Sequence, residues 1–304
     1  MRAPRTIRIL GGLLAVASGI ALAGCATAAV PSDQNGRIAV VASTSVYGDI
    51  ASAIGGDAIT VRSLITDAAQ DPHSFEASAQ DQLAVAKADV VIENGGGYDD
   101  FVDSLVSGSG AHPELINAVK LSGLDHGGEA FNEHVWYDLA AMRAVGNRLA
   151  EVFSSLDTAH AEDFAAGAAT FAAALAGLER DAATVKQSHA GAGVAVTEPV
   201  PLYLLAACGL HNETPAAFSR AVEDGSGVAP ALMHDTLQLF TERRVALLVY
   251  NAQTSGPETE QLRAAAKASG ISAVAVTETL PQDATYLSWM GDNLANLKAA
   301  LADD

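Results

Sequence analysis

Strand-like and helix-like patterns alternate along most of this 304-residue chain. Arg37 to Ser43 is a β-rich apolar run, and a helical pattern follows from about Val46 to Ile54. Ile59 to Ile65 reads as a second strand, with the turn-rich Asp67 to His73 after it. Ala77 to Ala86 reads as a helix, Asp89 to Glu93 as a third strand, and Tyr98 to Val106 as another helix. Short apolar runs bounded by Gly, Pro and Asp, with helices between them, predict a parallel sheet covered on both faces.

The middle of the chain carries a different signal. From Asp138 to about His189 no strand pattern occurs, only Ala-rich helix formers with regularly spaced Leu, Val and Phe. Asp157 or Thr158 offers an N-cap, and the stretch from there to Gln187 predicts one long helix. Alternation then resumes. Strands are expected at Val194–Thr197, Val245–Tyr250 and Ala273–Thr277, and helices at Leu202–Ala207, Ala231–Arg243, Pro257–Ala268 and Tyr286–Leu301. The predicted fold is α/β: two lobes, each a mostly parallel sheet with helices on both faces, joined by one long rigid helix. The expected boundaries are 37–156 for the N-terminal lobe, 157–189 for the linker helix and 190–304 for the C-terminal lobe. The two halves echo each other in pattern without a sequence repeat.

The first residues change the picture of where the chain works. Arg2, Arg5 and Arg8 precede an apolar run from Ile9 to Leu22, too short to span a bilayer and usual for an export signal. The run ends in Leu22-Ala23-Gly24-Cys25, which looks like a bacterial lipobox in which the Cys25 thiol takes a diacylglycerol. Residues 1–24 are therefore expected to be a lipoprotein signal peptide and 25–36 a tether. The mature chain would be exported and anchored to the outer face of the cytoplasmic membrane. Loss of the three arginines takes the net charge from −19 to −22, which argues against nucleic acid or an anionic membrane surface as a partner. Only Cys208 then remains, in an apolar run, so no internal disulfide is expected and burial explains the thiol.

Candidate chemistry lies at the ends of strands. His73 follows Ile59–Ile65, Glu198 follows Val194–Thr197, Glu278 follows Ala273–Thr277, and His134 enters from the loop before the first middle helix. In parallel α/β sheets ligands bind beyond the carboxyl ends of strands. Two neutral imidazoles and two carboxylates, two residues from each lobe, suit a Zn2+ or Mn2+ shell. Read one at a time, each is an ordinary surface histidine or a helix-terminal acid; the joint pattern is what points to a metal. His112, His126, His160, His189, His211 and His234 stay ordinary, and Trp136 is expected to pack beside the site. Asp138 either orients His134 or caps the helix that follows it.

At these residues the chain resembles the metal-binding lipoproteins of bacterial zinc and manganese ABC importers, the cluster A-I (cluster 9) binding proteins. The resemblance runs over nearly the whole mature chain. It takes in Ser43 to Ile50, Asp71-Pro72-His73-Ser74-Phe75-Glu76, His134-Val135-Trp136-Tyr137-Asp138, Glu198 with Tyr203, and Thr277-Glu278-Thr279-Leu280-Pro281. It implies a divalent metal held between two lobes by His73, His134, Glu198 and Glu278, with Asp138 and Tyr203 as supporting residues. It also implies a monomer that delivers its ion, Zn2+ or Mn2+, to an ABC permease, without enzymatic activity. Small lobe shifts are expected on loading, since a long helix resists wide hinge opening.

The chain departs from the family pattern at Pro201, where an aromatic residue is common, and in three further places. Glu198 stands where many zinc members have a third histidine, Glu278 where aspartate is frequent, and the histidine-rich loop is reduced to His126 and its Gly-Gly-Glu neighbours. Two carboxylates favour a harder ion, while intrinsic affinity favours zinc. A metal-dependent hydrolase using the same cleft, or a binding protein for a metal chelate or siderophore, are the alternatives. Four protein ligands leave no position for a reactive water, no His-Glu-x-x-His or Gly-x-Ser-x-Gly motif occurs, and the chain is poor in the aromatics and arginines a bulky chelate needs.

Overall fold

The computed structural model describes residues 36–302 except 68, 69, 71, 73, 74, 127–130 and 255. The expected signal peptide, lipidated Cys25 and most of the tether lie outside the described residues, and so does His73.

The first lobe is wound from β1 (Ile38–Thr44), α1 (Ser45–Gly55), β2 (Ile59–Ile65), α2 (Ala79–Val85), β3 (Val90–Glu93), α3 (Phe101–Ser109), β4 (Glu114–Asn117) and α4 (Ala118–Ser122). Then come α5 (Leu139–Leu156) and α6 (Ala161–His189). The second lobe follows as β5 (Gly193–Val196), α7 (Leu202–Ala207), β6 (His211–Asn212), α8 (Ala216–Glu223), α9 (Pro230–Thr241), β7 (Leu247–Asn251), α10 (Pro257–Ser269), β8 (Ser272–Val276) and α11 (Tyr286–Ala302). Each sheet has four strands, ordered β2-β1-β3-β4 and β6-β5-β7-β8, and every pairing is parallel. The two sheets therefore share one winding. In each, the chain reverses direction across the sheet between the first and third strands, and such a switch point leaves a crevice at the carboxyl ends.

Alternation along the central strands explains why both faces are covered. Val40, Ala42, Val90 and Ile92 face a large core shared with α1, α5, α6 and α11. Val41 and Val91 face the opposite way, onto Val85 of α2 and Val102 and Leu105 of α3. In the second sheet Val194, Val196, Leu247 and Val249 join the large core. Ala195 and Leu248 instead meet Phe218 and Val222 of α8, Phe240 of α9 and Leu262 of α10. Cys208 is fully buried, which pushes its thiol up to about 12 and leaves it unreactive.

The long helix is 29 residues and follows a short 3-10 turn, Thr158–His160, where Asp157 accepts from the Ala159 N–H at 3.1 Å. Helix α6 therefore starts a few residues later than the N-cap signal suggests. Its buried residues, Phe164, Ala168, Phe171, Leu175, Leu178, Ala182 and Val185, recur at steps of four and three, a continuous seam along one face. That seam packs on α1 and α5 at one lobe and on α7 and α11 at the other. Gly167 permits the closest approach, since a Cβ there would lie 2.5 Å from the Ile54 carbonyl oxygen. Among the described residues no helix is long and apolar enough to cross a membrane.

Strands β4 and β6 and helices α4 and α8 are additions to the elements the sequence pattern marks. Strands β4 and β6 are edge strands of four and two residues, too short and too polar for period-two alternation to stand out.

Candidate metal centre

The loop between α4 and α5 carries His134 and is tied down at several points. Asn132 lies two residues earlier, and its Oδ1 accepts from the His134 backbone N–H at 3.2 Å and lies 2.8 Å from His134 Nδ1. A carboxamide oxygen only accepts, so Nδ1 carries a proton, and in the neutral ring Nε2 is the nitrogen whose lone pair faces the site. The imidazole is fully buried and flanked by the edges of Trp136 and Tyr98, with ring centroids 5.0 and 6.0 Å away. Trp136 thus packs beside the histidine, as expected. Asp138 does not hold the ring; its Oδ1 accepts from the Ala141 N–H at 2.7 Å and caps α5. The partner of Nδ1 is Asn132.

Glu198 follows β5 and Glu278 follows β8, so both stand at carboxyl ends of neighbouring strands in the second sheet. Asn251, the last residue of β7, donates through Nδ2 to Glu198 Oε2 at 2.6 Å and lies 3.5 Å from Glu278 Oε2. Gln253 accepts from the backbone N–H of Glu278 at 2.5 Å and of Thr279 at 3.1 Å, which fixes the turn after β8. The Tyr98 phenol from the first lobe also bonds to Glu278.

These groups converge. His134 Nε2 lies 3.7 Å from Glu278 Oε1 and 3.5 Å from Oε1 of Glu223, the last residue of α8. Both separations exceed a hydrogen bond. His134 Nε2, Glu198 Oε1 and Glu223 Oε1 are all buried without a hydrogen-bond partner. A ligand atom of Glu133 also lies within 4.8 Å of ligand atoms of His134 and Glu223. Unpaired buried carboxylate oxygens are costly, and an imidazole lone pair among them makes the set suited to a cation.

The electrostatics follow from that crowding. Burial drives Glu198 up, opposed by the Asn251 hydrogen bond and reinforced by the charge on Glu278. Burial also pushes Glu223 up to about 8; His134 pulls it down, and Glu133, Glu198 and Glu278 push it further up. Burial alone would lower His134, but Glu278, Glu223 and Glu133 together hold it above its ordinary value.

The same loop bridges the lobes. Asn132 Nδ2 donates to the Pro199 carbonyl at 3.0 Å, next to Glu198. Tyr203 donates to the Asn132 carbonyl at 2.7 Å, and Tyr137 to the Thr277 carbonyl at 2.6 Å, next to Glu278. Tyr286 donates through its hydroxyl to the Trp136 carbonyl and through its backbone N–H to Asp49. Three of the four residues marked by the sequence, His134, Glu198 and Glu278, are thus brought together. Glu223 was missed because no motif surrounds it, and Asn132 because its use depends on the loop's conformation.

A family model described as the periplasmic zinc-uptake complex component A, ZnuA, matches residues 40–300. Over 150 residues the chain is 31% identical to the manganese-binding lipoprotein MntA of Bacillus subtilis, covering 47% of this chain and 48% of that protein. Over 186 residues it is 25% identical to the iron ABC transporter substrate-binding lipoprotein MtsA of Streptococcus pyogenes, covering 57% and 58%. The chain thus spans about half the length of these curated relatives. Among solved structures, FpvC of P. aeruginosa in complex with Ni2+ superposes with a TM-score of 0.72 at 23% identity, over 88% of this chain and 97% of that one. The laminin-binding protein Lbp of S. pyogenes gives 0.72 at 20%, over 87% and 99%. Both show the same two-lobed fold.

Proposed function

This chain belongs to the ZnuA family, and from that membership we propose that it is an extracytoplasmic solute-binding protein of the cluster A-I type. It captures a divalent transition metal, zinc or manganese, between its lobes and hands it to an ABC permease. His134, Glu198, Glu278 and His73 hold the ion, Asn132 and Tyr203 support the loop that presents His134, and Cys25 carries the lipid that keeps the monomer at the membrane. The N-terminal lobe (37–156), linker helix (157–189) and C-terminal lobe (190–304) move little on loading, because the α6 seam and the loop's bonds to Pro199 and Thr277 already join them.

The observation that carries this reading is the convergence of buried atoms with no protein partner, His134 Nε2 foremost, on carboxylates contributed by the other lobe. A cation supplies what those atoms lack. The relatives' names as manganese-binding and iron ABC transporter lipoproteins support the same assignment. The protein captures its ligand and releases it unchanged, a reading supported by the relatives' names as substrate-binding lipoproteins.

Metal analysis and calorimetry test this. The purified wild type is expected to bind one Zn2+ or Mn2+ per chain, and His134→Ala to lose at least tenfold in affinity. Unchanged stoichiometry and affinity in the variant would remove His134 from the site, and no binding by the wild type would overturn the function.

A further inference from the structure

Glu223 stands outside the family's four ligand positions, in a helix that contributes none of them. Its surroundings do not explain its placement as an ordinary surface acid. Arg220 lies three residues back on α8, at the spacing that makes helical ion pairs, and is exposed. No ion pair between the two forms among the described residues. The carboxylate turns instead toward His134, where its Oε1 is buried, unpartnered and 3.5 Å from Nε2, nearer than Glu278. It also sits at the C-terminal end of α8, where the helix dipole disfavours an anion. Phe218 and Val222 anchor the helix in the core under the second sheet, so the position is fixed by packing. A carboxylate held against the helix dipole, away from its available arginine and beside two other carboxylates, is placed where a cation among them would bind it.

We propose that Glu223 is a further metal ligand of this site and biases it toward manganese over zinc. The proposal rests on the metal-capture reading above. With His134, Glu198 and Glu278, Glu223 makes a shell of one nitrogen donor and three carboxylates among the described residues. Oxygen-rich, expandable coordination suits Mn2+, whereas Zn2+ in a closed site takes four ligands. Zinc still binds more tightly in absolute terms, as the general affinity order requires; Glu223 narrows the gap.

The test is the isosteric substitution Glu223→Gln, with Mn2+ and Zn2+ affinities measured by direct and competition calorimetry on the full mature chain. Loss of about tenfold or more for Mn2+ against less than about threefold for Zn2+ is expected, on the usual scale of ligand-shell effects. Equal losses would mean that Glu223 acts only as a distant charge, and unchanged affinities that it does not bind; either overturns the proposal. Glu198→Gln in parallel separates the two levels. If it abolishes binding while Glu223→Gln does nothing, metal capture stands and Glu223 is no ligand. Absorption of the Co2+-loaded wild type gives a reading independent of any variant. A weak five- or six-coordinate spectrum is expected, and an intense tetrahedral one would count against a further carboxylate.

Discussion

The two lobes are wound alike but use the same position differently. In each, the third strand delivers an asparagine to the switch point: Asn94 just after β3, and Asn251 at the end of β7. Both side chains are buried. Asn94 accepts from the Tyr47 hydroxyl and donates to the carbonyls of Gly95 and Glu133, so it braces the loop that presents His134. Asn251 donates to the Glu198 carboxylate and approaches that of Glu278. The first lobe spends its asparagine on neutral backbone and offers a rigid imidazole. The second uses its counterpart to keep charged groups close together. A repeated fold can thus divide a site into a scaffold half and a charged half.

Exchanging each asparagine for alanine is the strongest way to break that comparison. Asn94→Ala leaves the buried Tyr47 hydroxyl without its acceptor and leaves the Glu133 carbonyl only the Val135 N–H, and should cost about 2 kcal/mol of stability, measured by urea denaturation of the metal-free protein. Asn251→Ala should cost less in stability, because the Thr254 side chain still bonds to the buried Glu198 carboxylate and the partly exposed Glu278 can be reached by water. It should instead weaken metal binding on the order of 10–100-fold, as loss of a group orienting ligands does. If both variants lost stability and affinity in the same proportion, the division of labour between the lobes would be wrong.

A smaller effect sharpens the same contrast one residue earlier. Glu93 precedes Asn94, whereas Tyr250 precedes Asn251 and lies under the Arg263 guanidinium. Burial raises Glu93 to about 7 despite the hydrogen bond it accepts from Asn117 Nδ2 at 2.7 Å. A raised carboxyl holds its proton more tightly in the folded chain, so the penalty is absent below the unfolded value of about 4.5 and grows as pH rises to about 7. Glu93→Gln keeps the acceptor and removes the charge. It should stabilise the protein by about 1–2 kcal/mol at pH 8 and by almost nothing near pH 4.5. Equal effects at the two pH values would show that the buried charge is not what destabilises the first lobe.

Legibility in the sequence followed the strength of local pattern. Strand β2 ends where the apolar run ends, and α6 was visible in its regular Leu and Phe spacing, because both are set by periodicity over many residues. Strand β6 is two residues long and pairs only at Gly193 and Val194, so no periodic signal exists to find. At the site, His134, Glu198 and Glu278 stood out because each closes a recognisable run. Glu223 ends a short helix 25 positions after Glu198, and only packing of Phe218 and Val222 aims it inward. Asp138 had two roles open to it, and the N-terminus of α5 took its carboxylate while Asn132 reached the imidazole.

Anomalous diffraction from crystals loaded with Mn2+ tests the central claim most directly. One strong peak is expected about 2.1–2.3 Å from His134 Nε2, with Glu198 and Glu278 completing bonds from the other lobe. A peak elsewhere on the molecule, or none bound to His134, would contradict a metal site shared between the lobes.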